Sequence, residues 1–412
     1  MLKVLLVQSP MGRLEQPIFP LGLAFLAGQL EGFEVRAIDL SVSPPEALRE
    51  QLRILDPDVV ALSLRNLDDS AYPDTFSYLL AFDAVVAGLA DFRGTLVVGG
   101  PAFSICAEEI LDRHGRIDYG IRGEGERALP DLLRSLAGGS RPEGRLIEAC
   151  RPALETVSPP RYDVLDPRCY ERGYGVGVQS RRGCSFGCSY CTYGYLGGRT
   201  FRTRPVEHVL RDIESLRSMG VAHFQFVDSV FNAPREYFLS LLEGLQSLAP
   251  GMIWGAWLDL DVEPADLERM YSAGARKVDF SPDAITRRGM AMLGKHGDAS
   301  GLWSIVREAR RIGLDVGVNF FNGNPGEGFP ALLQKALFMI RARIFLGSRH
   351  TFVNIGTIRV YAHSRLAEEM IRSGALPAGC DFVEPVFVLP RGPADWAFRL
   401  YQAVRRLRHG RR

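Results

Sequence analysis

Twice along these 412 residues, short apolar runs alternate with longer amphipathic ones, and this alternation restricts the fold more than any other feature. The first series holds five apolar runs, "LKVLLVQS", "EVRAIDLS", "PDVVALSLR", "TLVVGG" and "DYGIRGEGE", each followed by a helical pattern. Runs with almost no polar interruption belong to strands covered on both faces, which is the habit of parallel sheets with helices on each side. Residues 1–140 are therefore expected to form an α/β, doubly wound, Rossmann-like sheet. The stretch 141–172 is rich in Pro, Gly and Arg and reads as a linker with one short hairpin. A second series follows over 173–375, with strands in "YGVGVQS", "HFQFVDSVFN", "MIWGAWLDLD", "KVDFSP", "LDVGVNFFNGNPGE" and "TFVNIGTIRVY". Six βα units fit an open, partial (β/α)6 barrel better than a closed eightfold one. Residues 376–412 form a short C-terminal extension, whose basic run over 404–412 reads as a solvated helix end.

The formal net charge of +1 gives no global attraction to nucleic acid or an anionic membrane. The apolar runs fall short of the roughly 18 residues that a membrane span requires. The first residues, "MLKVLLVQSPMG", read as a strand rather than a secretory signal, so a cytoplasmic location is expected. Seven cysteines without an export signal argue against a disulfide framework. Cys106, Cys150, Cys169 and Cys380 lie far apart and read as ordinary thiols.

The remaining three are different. Cys184, Cys188 and Cys191 are spaced C-x3-C-x2-C in a loop just past the first strand of the second series. In a parallel βα array that end carries the functional loops. Gly183 and Gly187 allow tight turns around a bulky object. A structural zinc site needs four ligands and commonly uses cysteine pairs; the nearest histidine, His208, falls inside a predicted helix. The other reading is a [4Fe–4S] cluster on three thiolates, with one iron left open to a substrate or cofactor.

The C-x3-C-x2-C run, with the aromatic Tyr190 just before its last cysteine, resembles the signature of radical S-adenosylmethionine (SAM) enzymes. The resemblance implies that the open iron chelates SAM and that one electron from the cluster yields a 5′-deoxyadenosyl radical. It also implies an electron donor such as flavodoxin or ferredoxin. With Tyr190, it suggests SAM contacts at Asp228, Ser281 and Asn322, the last in a segment with Gly323 and Pro325. Arg202 and Arg204 are candidates to neutralise cofactor or cluster charge, or are surface arginines.

A doubly wound domain ahead of such a barrel resembles, more narrowly, the cobalamin-binding radical SAM enzymes. The loops "LSLRNLDD", "VVGGPAFS" and "GIRGEGERALPDLL" sit at strand C-terminal ends, where an open α/β sheet holds its ligand. The implied cobalamin contacts are Arg65, Asn66, Gly99, Gly100, Gly123, Glu124 and Gly125. The D-x-H-x-x-G motif that ligates cobalt in many cobalamin proteins is missing. His114 lacks its context and is expected at the surface, with Arg65 or Asn66 under the corrin.

The resemblance implies a methyltransferase that uses the adenosyl radical and methylcobalamin to methylate an unactivated carbon of a small molecule or peptide. The alternatives are a rearrangement or cyclisation with the same cofactors, a polar methylation without the radical, and a non-catalytic metal-binding module. Tyr193, Tyr195, Trp254 and Trp257 are candidates for the substrate pocket, and Asp259 for a polar contact. No catalytic residue is assigned.

Overall fold

The computed structural model describes residues 1–11, 17–44, 46–171, 175–248, 251–295, 299–347, 350–390, 392–393, 395–400 and 403. The basic run over 404–412 lies outside them.

The first five strands are β1 (Lys3–Gln8), β2 (Glu34–Asp39), β3 (Val59–Ser63), β4 (Thr95–Gly99) and β5 (Tyr119–Arg122). Every pairing among them is parallel. Alternate residues of one strand enter two separate cores: Leu5 and Val7 pack on one side, Val4 and Leu6 on the other. Period-two alternation with both faces apolar makes these runs almost continuously hydrophobic and gives the doubly wound architecture. A sixth strand, β6 (Leu146–Glu148), pairs parallel to β5, giving the order β2-β1-β3-β4-β5-β6. The expected hairpin in the linker is thus replaced by an edge strand of the first sheet.

The rest of that segment is not loose. Tyr162, Tyr170, Leu154 and Val157 are buried in the core of the second unit together with Phe19 and Phe25 of the first. Tyr170 donates to Asp39 Oδ2 at 2.9 Å, and Tyr162 donates to the Gly177 carbonyl at 3.1 Å. The two units share a packed seam rather than a flexible joint.

The second unit opens with β7 (Val176–Val178), then a two-stranded antiparallel ribbon, β8 (Arg181–Arg182) and β9 (Arg202–Thr203). The barrel continues with β10 (His223–Phe226), β11 (Ile253–Leu258), β12 (Ala275–Asp283), β13 (Asp315–Asn322) and β14 (Thr351–Val360). β7 and β10 to β14 are the six expected parallel strands, in the order β14-β13-β12-β11-β10-β7. The C-terminal extension adds β15 (Val386–Val388), antiparallel to β14, which the sequence did not announce. Trp254, Ala256 and Leu258 of β11, Val278 and Phe280 of β12, and Val316, Val318 and Phe320 of β13 fill the layer under the helices. Their alternates face the barrel lumen. Among the described residues no helix is long and apolar enough to cross a membrane.

Candidate active site

The ribbon of β8 and β9 closes the loop that carries the three cysteines. Gly183 adopts φ +77°, and a Cβ there would stand 2.2 Å from the Thr200 carbonyl oxygen, so only glycine lets the two arms of the loop approach. Gly187 has ordinary free space around it and is not required in the same way. The loop is tied to the barrel by Ser189, whose N–H donates to the Leu293 carbonyl at 2.8 Å and whose carbonyl accepts from Leu366 N–H at 2.7 Å.

Asp228, at the end of β10, braces the root of the loop. Its Oδ1 accepts from the backbone N–H of Ser180 at 2.8 Å and of Arg181 at 3.1 Å, and its Oδ2 from Ser180 Oγ at 2.6 Å. Arg181 Nε lies 3.7 Å from Oδ2, and both side chains are sealed from solvent. Asp228, expected as a SAM contact, thus uses both oxygens in positioning the loop.

Cys184, Cys188 and Cys191 line one small pocket with Phe186, Tyr193, Arg199 and Arg365. Burial pushes all three thiols up, Cys191 to about 12, and Cys191 also feels both of the other thiols. Buried thiols of this kind ionise only against a strong cation such as iron. Among the described residues no three His, Cys, Asp or Glu side chains converge as they would around one metal ion. Three thiols that share a pocket without closing on one point suit a wider body that takes each sulfur at a different corner. The donor set thus fits a [4Fe–4S] cluster with one iron free of protein ligands.

Behind the thiols, Tyr190 donates its hydroxyl to Asp283 and packs edge-on against Phe321 at 5.2 Å. Asp283 also pairs with Lys295, whose ammonium donates to the Ser281 carbonyl. Ser281 lies on β12, with its carbonyl engaged in this way. Asn322 is buried at the end of β13, and its Nδ2 has no partner among the described residues, so it remains open to a ligand. Lys295, Arg199 and Arg365 are the cationic groups that sequence reasoning missed. They lie far from the cysteines in sequence, or carried no distinguishing pattern.

Glu327 joins the loops after β12 and β13. Its Oε1 accepts from Ile285 N–H, Thr286 N–H and Thr286 Oγ1 at 2.8, 2.8 and 2.9 Å. Its Oε2 accepts from Asn324 Nδ2 at 3.0 Å and from Lys335. Burial acts to raise this carboxyl, but Lys335 and the hydrogen bonds outweigh it and hold it below the ordinary 4.5. A depressed folded pKa contributes stability above the unfolded value that fades as pH falls through the folded one. Glu327→Gln leaves Lys335 buried without its counter-charge and is expected to cost about 3–5 kcal/mol. Urea unfolding checks both points: the variant's deficit at neutral pH should shrink below about pH 4.5.

The second site is a cavity of about 680 Å³ at the C-terminal ends of β1, β3, β4 and β5, roofed by the ribbon and cysteine loop. All seven residues expected to touch cobalamin line it: Arg65, Asn66, Gly99, Gly100, Gly123, Glu124 and Gly125. At Gly100, φ is +104° and a Cβ would stand 2.6 Å from the Leu64 carbonyl oxygen, so the floor requires glycine. Arg65 Nη1 is buried and has no hydrogen-bond partner among the described residues. Burial pulls this guanidinium below its ordinary pKa, against the pull of Tyr193 and Asp39. A wide cavity with a bare glycine floor and an unsatisfied donor fits a large planar ligand such as a corrin. Glu124 lines the wall, yet its carboxylate is committed to Arg182 at 2.8 Å and to Arg202. Its place in the site is that of a clasp between the cavity rim and the cysteine ribbon.

Several expectations change at this point. Arg202 and Arg204 are neither surface residues nor cluster neighbours. Arg202 also donates to the Pro152 carbonyl at 3.0 Å, and buried Arg204 pairs with Asp212 at 2.6 Å. His114 is half-buried, 2.8 Å from Asp83 Oδ1 and edge-on to Phe82, and does not line the cavity. Trp254 is a core residue whose indole N–H donates to the Ala273 carbonyl at 2.7 Å. Tyr195 stacks on His363 at 4.0 Å, in the seam between the units. Tyr193 lines both the cavity and the thiol pocket.

Residues 10–133 match the family described as the B12 binding domain, and residues 178–334 match the radical SAM superfamily. The chain belongs to the cobalamin-binding radical SAM enzymes. The cofactors that go with this family pair are cobalamin, SAM and a [4Fe–4S] cluster. Among curated relatives of this radical SAM enzyme is an uncharacterized methyltransferase of Pyrococcus horikoshii, 25% identical over 75% of this chain and 70% of that protein. Another is the hopanoid C-3 methylase of Methylococcus capsulatus, 24% identical over 73% of this chain and 60% of that protein. Among solved structures, the radical SAM methyltransferase TsrM from Kitasatospora setae, with cobalamin and a [4Fe–4S] cluster bound, superposes with a TM-score of 0.77. It covers 96% of this chain and 80% of that one at 21% identity, so the likeness is one of fold.

Proposed function

We propose that this enzyme is a cobalamin-dependent radical SAM methyltransferase that acts on an unactivated carbon of a small molecule and draws its electron from a one-electron donor protein. The observation that carries the reading is the wall shared by the two sites. Tyr193 belongs both to the cavity under the first sheet's loops and to the pocket of the three thiols. When bound, the cluster with SAM supplies an adenosyl radical, and cobalamin supplies the methyl group.

The chain's own residues have three tasks. Cys184, Cys188 and Cys191 hold the cluster. Asp228 and the clasp of Glu124 with Arg182 and Arg202 fix the cysteine ribbon against the cavity rim. Arg65, Gly100 and their neighbours seat the corrin. The curated relatives named above are methyltransferases, which favours methylation over rearrangement.

The test is turnover by anaerobically reconstituted enzyme with SAM, cobalamin and a reductant. A product heavier by one CH2 group, formed together with 5′-deoxyadenosine, is expected. A product of unchanged mass would point to rearrangement, and methylation without 5′-deoxyadenosine to the polar route.

A further inference from the structure

We propose that the barrel lumen takes a substrate bearing a protonated amine, held by the Asp259 carboxylate and the indole face of Trp257; this rests on the reading of the barrel as the substrate site. β11 is an interior strand flanked by β10 and β12. Its residues Trp254, Ala256 and Leu258 are packed under the helices. Trp257 is their alternate and faces the lumen, and Asp259 follows directly at the C-terminal end of the strand. Trp257 keeps 36% of its surface exposed there, which is unusual for the largest side chain on a central strand.

The charges of the lumen favour a cationic guest. β12 contributes Lys277 and Asp279 to the same interior face, and its register shifts between Phe280 and Asp283. Lys277 pairs with Asp279 at 3.1 Å, and Lys295 pairs with Asp283. Each lumen cation thus has a carboxylate. Asp259 is left over: its Oδ1 accepts the Asp261 N–H at 3.0 Å, but among the described residues no cation stands within ion-pair distance of it. It is close enough to the thiol pocket for its charge to be felt by Cys184, Cys188 and, beyond ion-pair distance, Lys295. Its backbone is fixed by Asn232, whose Oδ1 accepts the Asp259 N–H at 2.8 Å. A carboxylate at the strand end, two residues from an exposed indole, suits an ammonium group, through a charge-assisted hydrogen bond and a cation–π contact. An anionic substrate would meet surplus negative charge in the same place.

The experiment uses reconstituted holoenzyme and matched probes: tryptamine, phenethylamine and benzylamine, each beside its N-acetyl counterpart. Binding is read by calorimetry, without turnover. At least one amine is expected to bind roughly 10-fold or more tightly than its neutral counterpart, the scale of one charge-assisted contact. Asp259→Asn should erase that ratio while leaving affinity for the N-acetyl probe in place, which shows that the barrel is still folded. If Asp259→Asn does not fold, Trp257→Leu takes its place and should lower the ratio by several-fold. Equal binding of amine and amide, no binding by any amine, or a ratio unmoved by the variants would overturn the proposal. Failure of the methyltransferase reading appears separately, as amine binding without a methylated product.

Discussion

Replacing Cys184, Cys188 and Cys191 together with alanine is expected to abolish the visible absorbance of the iron–sulfur cluster and reduce 5′-deoxyadenosine formation to assay background. The three thiols are the protein's contribution to the cluster in this pocket, since no His, Asp or Glu is among its described lining residues. Each buried thiol binds iron as a thiolate, and alanine offers nothing in its place. Cobalamin binding should survive, because no cysteine lines the 680 Å³ cavity. The same variant therefore separates the two sites: anaerobic absorbance spectra should lose the cluster bands and keep those of the corrin. Loss of both would mean that the ribbon collapses without its cluster and carries the cavity roof with it. Retention of cluster absorbance would remove the basis for assigning these thiols.

The broad architecture and the cysteine motif were legible because both are local. An apolar run of five or six residues reports a strand buried on both faces, wherever its neighbours lie. The C-x3-C-x2-C spacing reports a loop that can surround one object. β6 and β15 were not legible, since "LIE" and "VFV" are three residues each and become strands only by joining an existing edge. The segment 141–172 looked like a linker by composition, yet Tyr162 and Tyr170 weld it to both units. Nothing in a Pro-rich stretch tells which of its aromatics finds a core. The polar site residues were the least legible. Asp228 at a strand end has the same signature whether it touches a ligand or braces a loop; the decision lies with Ser180 and Arg181, 48 and 47 residues away. Lys295 and Arg365 reach the thiols only through the folded barrel, so sequence spacing is silent about them.

Asp228 also gives the second large effect. Asp228→Ala removes the acceptor for two backbone N–H groups and one hydroxyl, and it strands the Arg181 guanidinium in a site without solvent. Arg181 is held over Tyr237 and Phe231, at 4.9 and 5.6 Å, and donates to the Ala233 carbonyl, so it has no exit to water. Breaking a buried pair by removing one partner costs about 3–5 kcal/mol. Against a typical domain stability of about 5–15 kcal/mol, that is a large share. Urea unfolding of the variant should show this deficit, with cluster incorporation falling as the loop root loosens. Removing the charge on both sides, as Asp228→Ala with Arg181→Met, should recover part of the stability, because no isolated charge is then buried. A deficit under about 1 kcal/mol in the single variant would mean that the loop does not depend on the carboxylate. If Asp228→Asn instead keeps stability and cluster but loses SAM binding, the residue is a ligand contact after all, and the brace assignment fails.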